Sequence, residues 1–429
     1  MKRLTPFVLI IVLLCAMFTA CKGSDNPAGS SGQPDSQSTG GELPTLRILI
    51  DLTLGGDHTE VGEIERFLRA NAEGCGTEYQ VEVEALPGIT EPDKRNPVLT
   101  GKHMELLTDA PDVFIMRNFS DPWKQLTDLK NFFHYPTSAM RQRLFLPLDD
   151  YIAADPDWEN LRPQIMGAGK LDGSQQLVPL AFKLNAALLD PEIYTPSPGL
   201  PMTWEQMLGS GDPVLEKVAA EADAGVLGVL ADYAREELNF TEDELLDLVD
   251  RLRAAKQETS GMAAEEMGFT KGTSLITIAP KNDSILKADP NENFYMIPAY
   301  NQDGGVTAQV EVFAAASRGT EYPDFAWNIL KALLSEEGQS NTFINALALP
   351  VRMGMCQESA PISGEWYLDD WDYRQLEALQ EQINMVEFNT PMRDELLALL
   401  TECAGLEDAE VEDAVHKCYI TMQMMLAES

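Results

Sequence analysis

Short apolar runs and helix-spaced apolar positions take turns along this chain. "TLRILIDLT" is rich in branched residues and bounded by Gly55 and Gly56, the mark of a buried strand. "HTEVGEIERFLRANAEG" follows with Val61, Ile64, Phe67 and Leu68 on one helical face, and it stops at Gly74. "YQVEVEAL" alternates as a half-exposed strand does, and "APDVFIM" reads as another short buried strand. Strand, helix, strand, helix at this spacing predicts an α/β layer with parallel strands. Farther on, "LPLDDYIAADPDW" reads as a loop entering a short helix capped by Asp149 or Asp150. From residue 203 to about 262 the pattern is mostly helical. "SLITIAP", "FYMIPAY" and "AQVEVFAAAS" return to strand. "PDFAWNILKALLSEEGQ" is an amphipathic helix with Phe325, Ile329 and Leu333 in register, and residues 391–429 read as two helices. Internal repeats are not evident.

The first residues follow another logic. Lys2 and Arg3 precede the apolar stretch "LTPFVLIIVLLCAMFTA", the layout of an export signal. Thr5 and Pro6 shorten it below the ~20 apolar residues that a bilayer span needs. Thr19 and Ala20 directly precede Cys21, an order that resembles a bacterial lipobox, although Phe18 stands where that pattern prefers Leu. The resemblance implies a signal peptide over residues 1–20 and a lipid on Cys21, which would anchor the chain outside the cytoplasm on the cell membrane. Ordinary secretion and an uncleaved anchor are the alternatives. The next stretch, to about residue 45, is dominated by Gly, Ser, Pro, Gln and Asp. It cannot bury enough apolar surface to offset the entropy of ordering, so it reads as a flexible linker.

Composition narrows the partners. The chain holds 69 acidic and 31 basic residues, a net charge of −38. Such a surface repels nucleic acid and anionic lipid, so nucleic-acid binding is set aside. About 385 residues lie beyond the linker, which predicts two domains. None of the cysteines falls in CxxC or paired Cys/His spacing, and His58, His103, His134 and His416 are scattered, so neither a metal site nor a cofactor is expected. No bridge is expected between Cys403 and Cys418: in a helical hairpin turning near Gly405 they stand more than two turns apart.

Several stretches, in order, resemble the extracellular solute-binding proteins, family 1, of bacterial ABC importers. They are "PDVFIM", "LPLDDYI", "VPL" at residues 178–180, "PMTWEQML", "YPDFAWNILKALLSEEGQ", "LPV" at residues 349–351 and the final "MMLAE". Asp190 departs from the family's usual Asn, and Leu275 and Ile276 replace its Ala-Met. The resemblance implies an α/β, two-lobed, periplasmic-binding-protein-like (type II) fold with an interdomain cleft and three hinge crossings. Residues 46–181 plus 304–350 would form lobe 1, and 182–303 plus 351–429 lobe 2. The protein would be a monomer that captures a carbohydrate, with an oligosaccharide favoured, and hands it unchanged to a membrane permease.

A sugar cleft combines flat aromatic faces with charged or amide groups. By position, the candidates are Asp57 and His58 after the first strand, then Arg117, Asn118, Asp121 and Trp123 after "DVFIM". Lys183 follows the crossing at Pro179, Lys281 and Asn282 follow "LITIAP", and Trp366, Tyr367 and Trp371 lie in "EWYLDDWDY". Trp204 and Trp327 sit on predicted helices and read as core, whereas Trp366 and Trp371 occupy a polar, loop-like stretch. Asp369, Asp370 and Asp372 read as solvated. Two other readings stay open: a binder of the same fold for a polyamine, a peptide or a polyol phosphate, and a surface glycoside hydrolase using a carboxylate pair. No G-x-S-x-G, phosphate-binding glycine loop or H-E-x-x-H is present.

Overall fold

The computed structural model describes residues 43–52, 59–74, 79–88, 92–106, 108–118, 131–196, 201–270, 276–278, 293–345, 348–355 and 370–429. Its strands are β1 (Thr45–Asp51), β2 (Gln80–Ala85), β3 (Val113–Arg117), β4 (Lys170–Leu171), β5 (Ser174–Gln175), β6 (Val178–Leu189), β7 (Ala231–Asp232) and β8 (Glu237–Leu238). They continue with β9 (Ile276–Ile278), β10 (Tyr295–Pro298), β11 (Val306–Ala316), β12 (Leu349–Pro350) and β13 (Ile383–Phe388). Nine of them join one mixed sheet whose main path runs β10-β6-β11-β3-β1-β2; β4–β5 and β7–β8 are small hairpins.

β1 is parallel to both β2 and β3, as the alternation of strands and helices predicts. The helix Thr59–Gly74 covers that layer and buries Val61, Ile64, Phe67 and Leu68. Beyond β3 the parallel expectation fails in part, because β11 runs antiparallel to β3 and β6 antiparallel to β11, while β13 lies parallel to β11. β6 and β11 are each long enough to serve two sets of partners. β6 pairs with β11 and β12 through its first half and with β9 and β10 through its second. β11 pairs with β13 up to Val310 and with β3 from Val312 onward.

Trp204 and Trp327 are core residues, 1% and 7% exposed. Thr203 and Gln206 form a capping box at the helix Trp204–Leu208, and the indole N–H of Trp204 donates to the carbonyl of Ala219 at 3.0 Å. In the helix Pro323–Leu334, Ile329 and Leu333 are buried, while Phe325 is half-buried and stacks on Tyr79 at 4.3 Å. The last two helices, Pro391–Glu402 and Asp408–Glu428, form the expected hairpin; Cys403 and Cys418 are both buried and are not bridged to each other.

Residues 203–262 are mostly helical as expected, interrupted by the β7–β8 hairpin. Two local expectations need correction. Asp149 is the first residue of its helix and does not cap it; its carboxylate accepts from the Ser174 hydroxyl and the Gln175 N–H. Asp372 is fully buried rather than solvated, because the helix Asp370–Gln380 turns it inward to accept from the Phe294 N–H at 3.2 Å.

Candidate functional site

β6 reads VPLAFKLNAALL, an apolar run broken only by Lys183 and Asn185. On β11, Thr307, Gln309 and Glu311 alternate before the strand turns wholly apolar. Lys183 stands opposite Gln309, so with period-2 geometry these polar residues share one face across the middle of the sheet. Such a stripe in the centre of a buried sheet needs polar partners, and it has them. Lys183 Nζ lies 2.8 Å from Glu311 Oε2. Asn185 donates to Asp223 at 3.0 Å, and the Thr307 hydroxyl donates to the Gly225 carbonyl at 2.7 Å. Arg393, 1% exposed, binds Asp223 at 3.0 Å with one nitrogen and Glu387 with another.

A cleft of about 380 Å³ opens at the end of β13, and Glu387, the partner of Arg393, is part of its lining. One wall carries Thr137, from the helix Pro136–Arg141, with Ala168 and Leu171. The other is the segment from Val229 to Ala234 with Asn239, and the end of β13 brings Glu387, Phe388 and Thr390. Tyr135 and Tyr233 meet edge-on across the two walls, ring centroids 6.0 Å apart. Burial pushes the Tyr135 hydroxyl up to about 12, with Glu428 adding to the effect. It also raises Tyr233, aided by Tyr135 and opposed by a side-chain hydrogen bond with Thr390. Both phenols therefore stay neutral across physiological pH and act as hydrogen-bonding rings. A larger hollow, about 650 Å³, lies between the helices Glu242–Thr259 and Asp408–Glu428, but its lining of Asp250, Arg253, Lys256, Asp408 and Glu412 offers no aromatic face.

Of the residues singled out from sequence, Arg117 and Asn118 stand at the junction of β3 and β13, 2% and 0% exposed. Asn118 donates through its side chain to the Asn389 carbonyl at 2.9 Å and accepts from the Asn389 N–H; the Asn389 side chain returns a bond to the Asn118 carbonyl at 2.8 Å. The side-chain amide of Asn118 is thus committed to protein. Lys183 belongs to the polar stripe, with 26% of its side chain exposed. Trp371 is helical and half-buried, not in a loop: its indole N–H donates to the Phe294 carbonyl at 3.1 Å and its ring packs against Tyr295. Asp57, His58, Asp121, Trp123, Lys281, Asn282, Trp366, Tyr367 and Cys21 lie outside the described residues.

Sequence reading missed Tyr233, Asn239, Thr390, Glu387 and Arg393. For the first two the reason is local. The β7–β8 turn contains no Gly, Pro or Asn; Asp232 builds it by accepting from the N–H groups of Ala234 and Arg235, and Glu236 adopts the left-handed φ of 56°. Gly225 and Gly228, just upstream, were the available hint that the helical run had ended.

No protein-family model matches this sequence, and no curated protein matches it. Solved structures do match its shape. A periplasmic oligogalacturonide-binding protein from Yersinia enterocolitica superposes with a TM-score of 0.58 at 12% identity, covering 90% of this chain and 99% of that one. The sugar-binding protein MalE from Xanthomonas citri gives 0.56 at 14% identity, covering 90% and 98%. An extracellular solute-binding protein of family 1 from Alicyclobacillus acidocaldarius gives 0.55 at 12%, covering 91% and 100%. The chain has the mixed α/β, two-lobed fold of the extracellular solute-binding proteins. Among the described residues, no helix is long and apolar enough to cross a membrane.

Proposed function

We propose that this protein is the substrate-binding component of an ABC importer and takes a carbohydrate in the cleft beside Tyr233. Residues 46–181 with 304–350 form one half and 182–303 with 351–429 the other. Cys21 carries the lipid that holds the protein at the membrane, and the permease takes the solute without chemical change.

The observation that carries this reading is the cleft's position and lining. It opens at the end of β13, with Thr137, Ala168 and Leu171 from one half and residues 229–234, Asn239 and Glu387 from the other. Tyr233 and Phe388 supply flat faces, while Asn239, Thr390 and Asp232 supply hydroxyl-binding groups. Solved structures with this fold include binders of oligogalacturonide and of cycloalternan.

A thermal-shift panel of mono- and oligosaccharides, polyamines and peptides tests the proposal. A ligand at ~100 times its dissociation constant adds about 2.7 kcal/mol, a rise of a few degrees for a chain of this size. At least one sugar is expected to raise the melting temperature, and Tyr233→Ala to remove most of that rise. A shift with spermidine and none with any sugar would overturn the carbohydrate assignment.

A further inference from the structure

β6 and β11 both lose step at one level of the sheet. Val310 faces Phe182 and Val312 faces Ala181, so Glu311 is passed over; Phe313 then faces Pro179, so Leu180 is passed over in turn. The register is the same before and after. Each extra residue is a β-bulge, which bends its strand and increases the local twist. On its other edge β11 changes partner at the same residue, from Phe388 of β13 opposite Val310 to Arg117 of β3 opposite Val312. β3 and β13 therefore meet carboxyl end to carboxyl end, clasped by Asn118 and Asn389, with the Asn118 N–H donating to the Glu311 carbonyl at 2.7 Å. Gln339 ties in the third connecting segment: it donates to the Leu180 carbonyl at 3.1 Å and accepts from the Val351 N–H at 2.8 Å.

The Glu311 carboxyl lies at this joint, in a residue 2% exposed. Lys183 reaches it from β6 and the charge of Arg117 from β3. β13 and the helix Pro391–Glu402 bring Glu387 and Arg393, which are paired with each other and, through Arg393, with Asp223.

We propose that Glu311 is the pivot on which the two halves turn, and that its protonation sets how readily they part. The inference rests on the two-halved reading of the fold and adds a control to it. Parting the halves here separates Asn118 from Asn389 and admits water to the carboxyl. In the clasped joint, burial outweighs Lys183 and Arg117 and lifts Glu311 above the ordinary glutamate range. A hydrated carboxyl titrates nearer that range. The clasped arrangement thus holds the proton more tightly, so acid favours it and rising pH favours opening, tenfold in population ratio for each pKa unit between the two states. The same sign applies to folding: this contribution is complete below the ordinary glutamate pKa and is lost as pH rises through the raised value.

The test uses ligand-free, full-length protein, so its result is independent of whether sugars bind. Nitroxides introduced as unnatural amino acids at exposed Glu337 and Glu258 report the distance between halves by pulsed electron resonance. From pH 5 to pH 8 the wild type is expected to lose its short-distance population several-fold. Glu311→Gln should hold that population at the acid value throughout. Lys183→Met, which removes a charge that favours ionised Glu311, should move the midpoint to higher pH, and it carries the test if the glutamine variant does not fold. A wild-type distribution independent of pH, a Glu311→Gln profile equal to wild type, or a midpoint unmoved in Lys183→Met each overturns the proposal.

Discussion

Asp51 and Arg95 form a two-pronged ion pair at the end of β1, with N–O distances of 2.7 and 2.6 Å and both side chains fully buried. Arg95 also donates to the Pro87 carbonyl at 2.7 Å, so one guanidinium fixes the ends of β1 and of the segment after β2. Neither charge has water to fall back on. Removing one partner leaves the other buried and uncompensated, which costs about 3–5 kcal/mol. Asp51→Ala is therefore expected to lose that much stability in a denaturant titration, while replacing both residues by apolar ones of similar size should restore most of it. A loss below about 1 kcal/mol for the single variant would show that the pair holds nothing together.

At the scale of elements, the cleft wall from Val229 to Ala234 depends on the turn that precedes it. Gly228 ends the short helical turn Ala224–Leu227 with a φ of 66°, and a methyl group there would meet the Met385 thioether. A side chain at this position faces both backbone strain and the β13 neighbour. Gly228→Ala is expected to cost about 1–3 kcal/mol and to shift the wall that carries Tyr233. Calorimetry should show the lower melting temperature, and the sugar-induced rise should shrink with it. An unchanged melting temperature would mean that the turn adapts freely.

For the whole molecule, the excess of acid is the dominant long-range force. A net charge of −38 gives a repulsion that a compact body feels more strongly than an unfolded chain. Salt screens it over a Debye length of about 10 Å at 0.1 M. The melting temperature is expected to rise by a few degrees between about 10 mM and 0.5 M sodium chloride. A fall over that range would indicate that the surface ion pairs, such as Arg251 with Glu205 and Asp247, outweigh the repulsion.

The sequence by itself determined where the long, periodic strands and helices lie, because a buried face imposes its period on the residues that build it. β1, β3, the helix Thr59–Gly74 and the C-terminal hairpin were legible for that reason. The order of short motifs pointed to the two-lobed class. Only the tertiary structure decided what the polar residues do. Asn118 looked free for a ligand, yet it clasps Asn389, 271 residues away in sequence. Asp372 looked solvated and is buried, and Tyr233 emerged from a stretch with no turn signature. Periodicity reports burial, which is a local property of a surface. The partner of a buried polar group is chosen by which distant strands the sheet brings side by side, and no local pattern carries that choice.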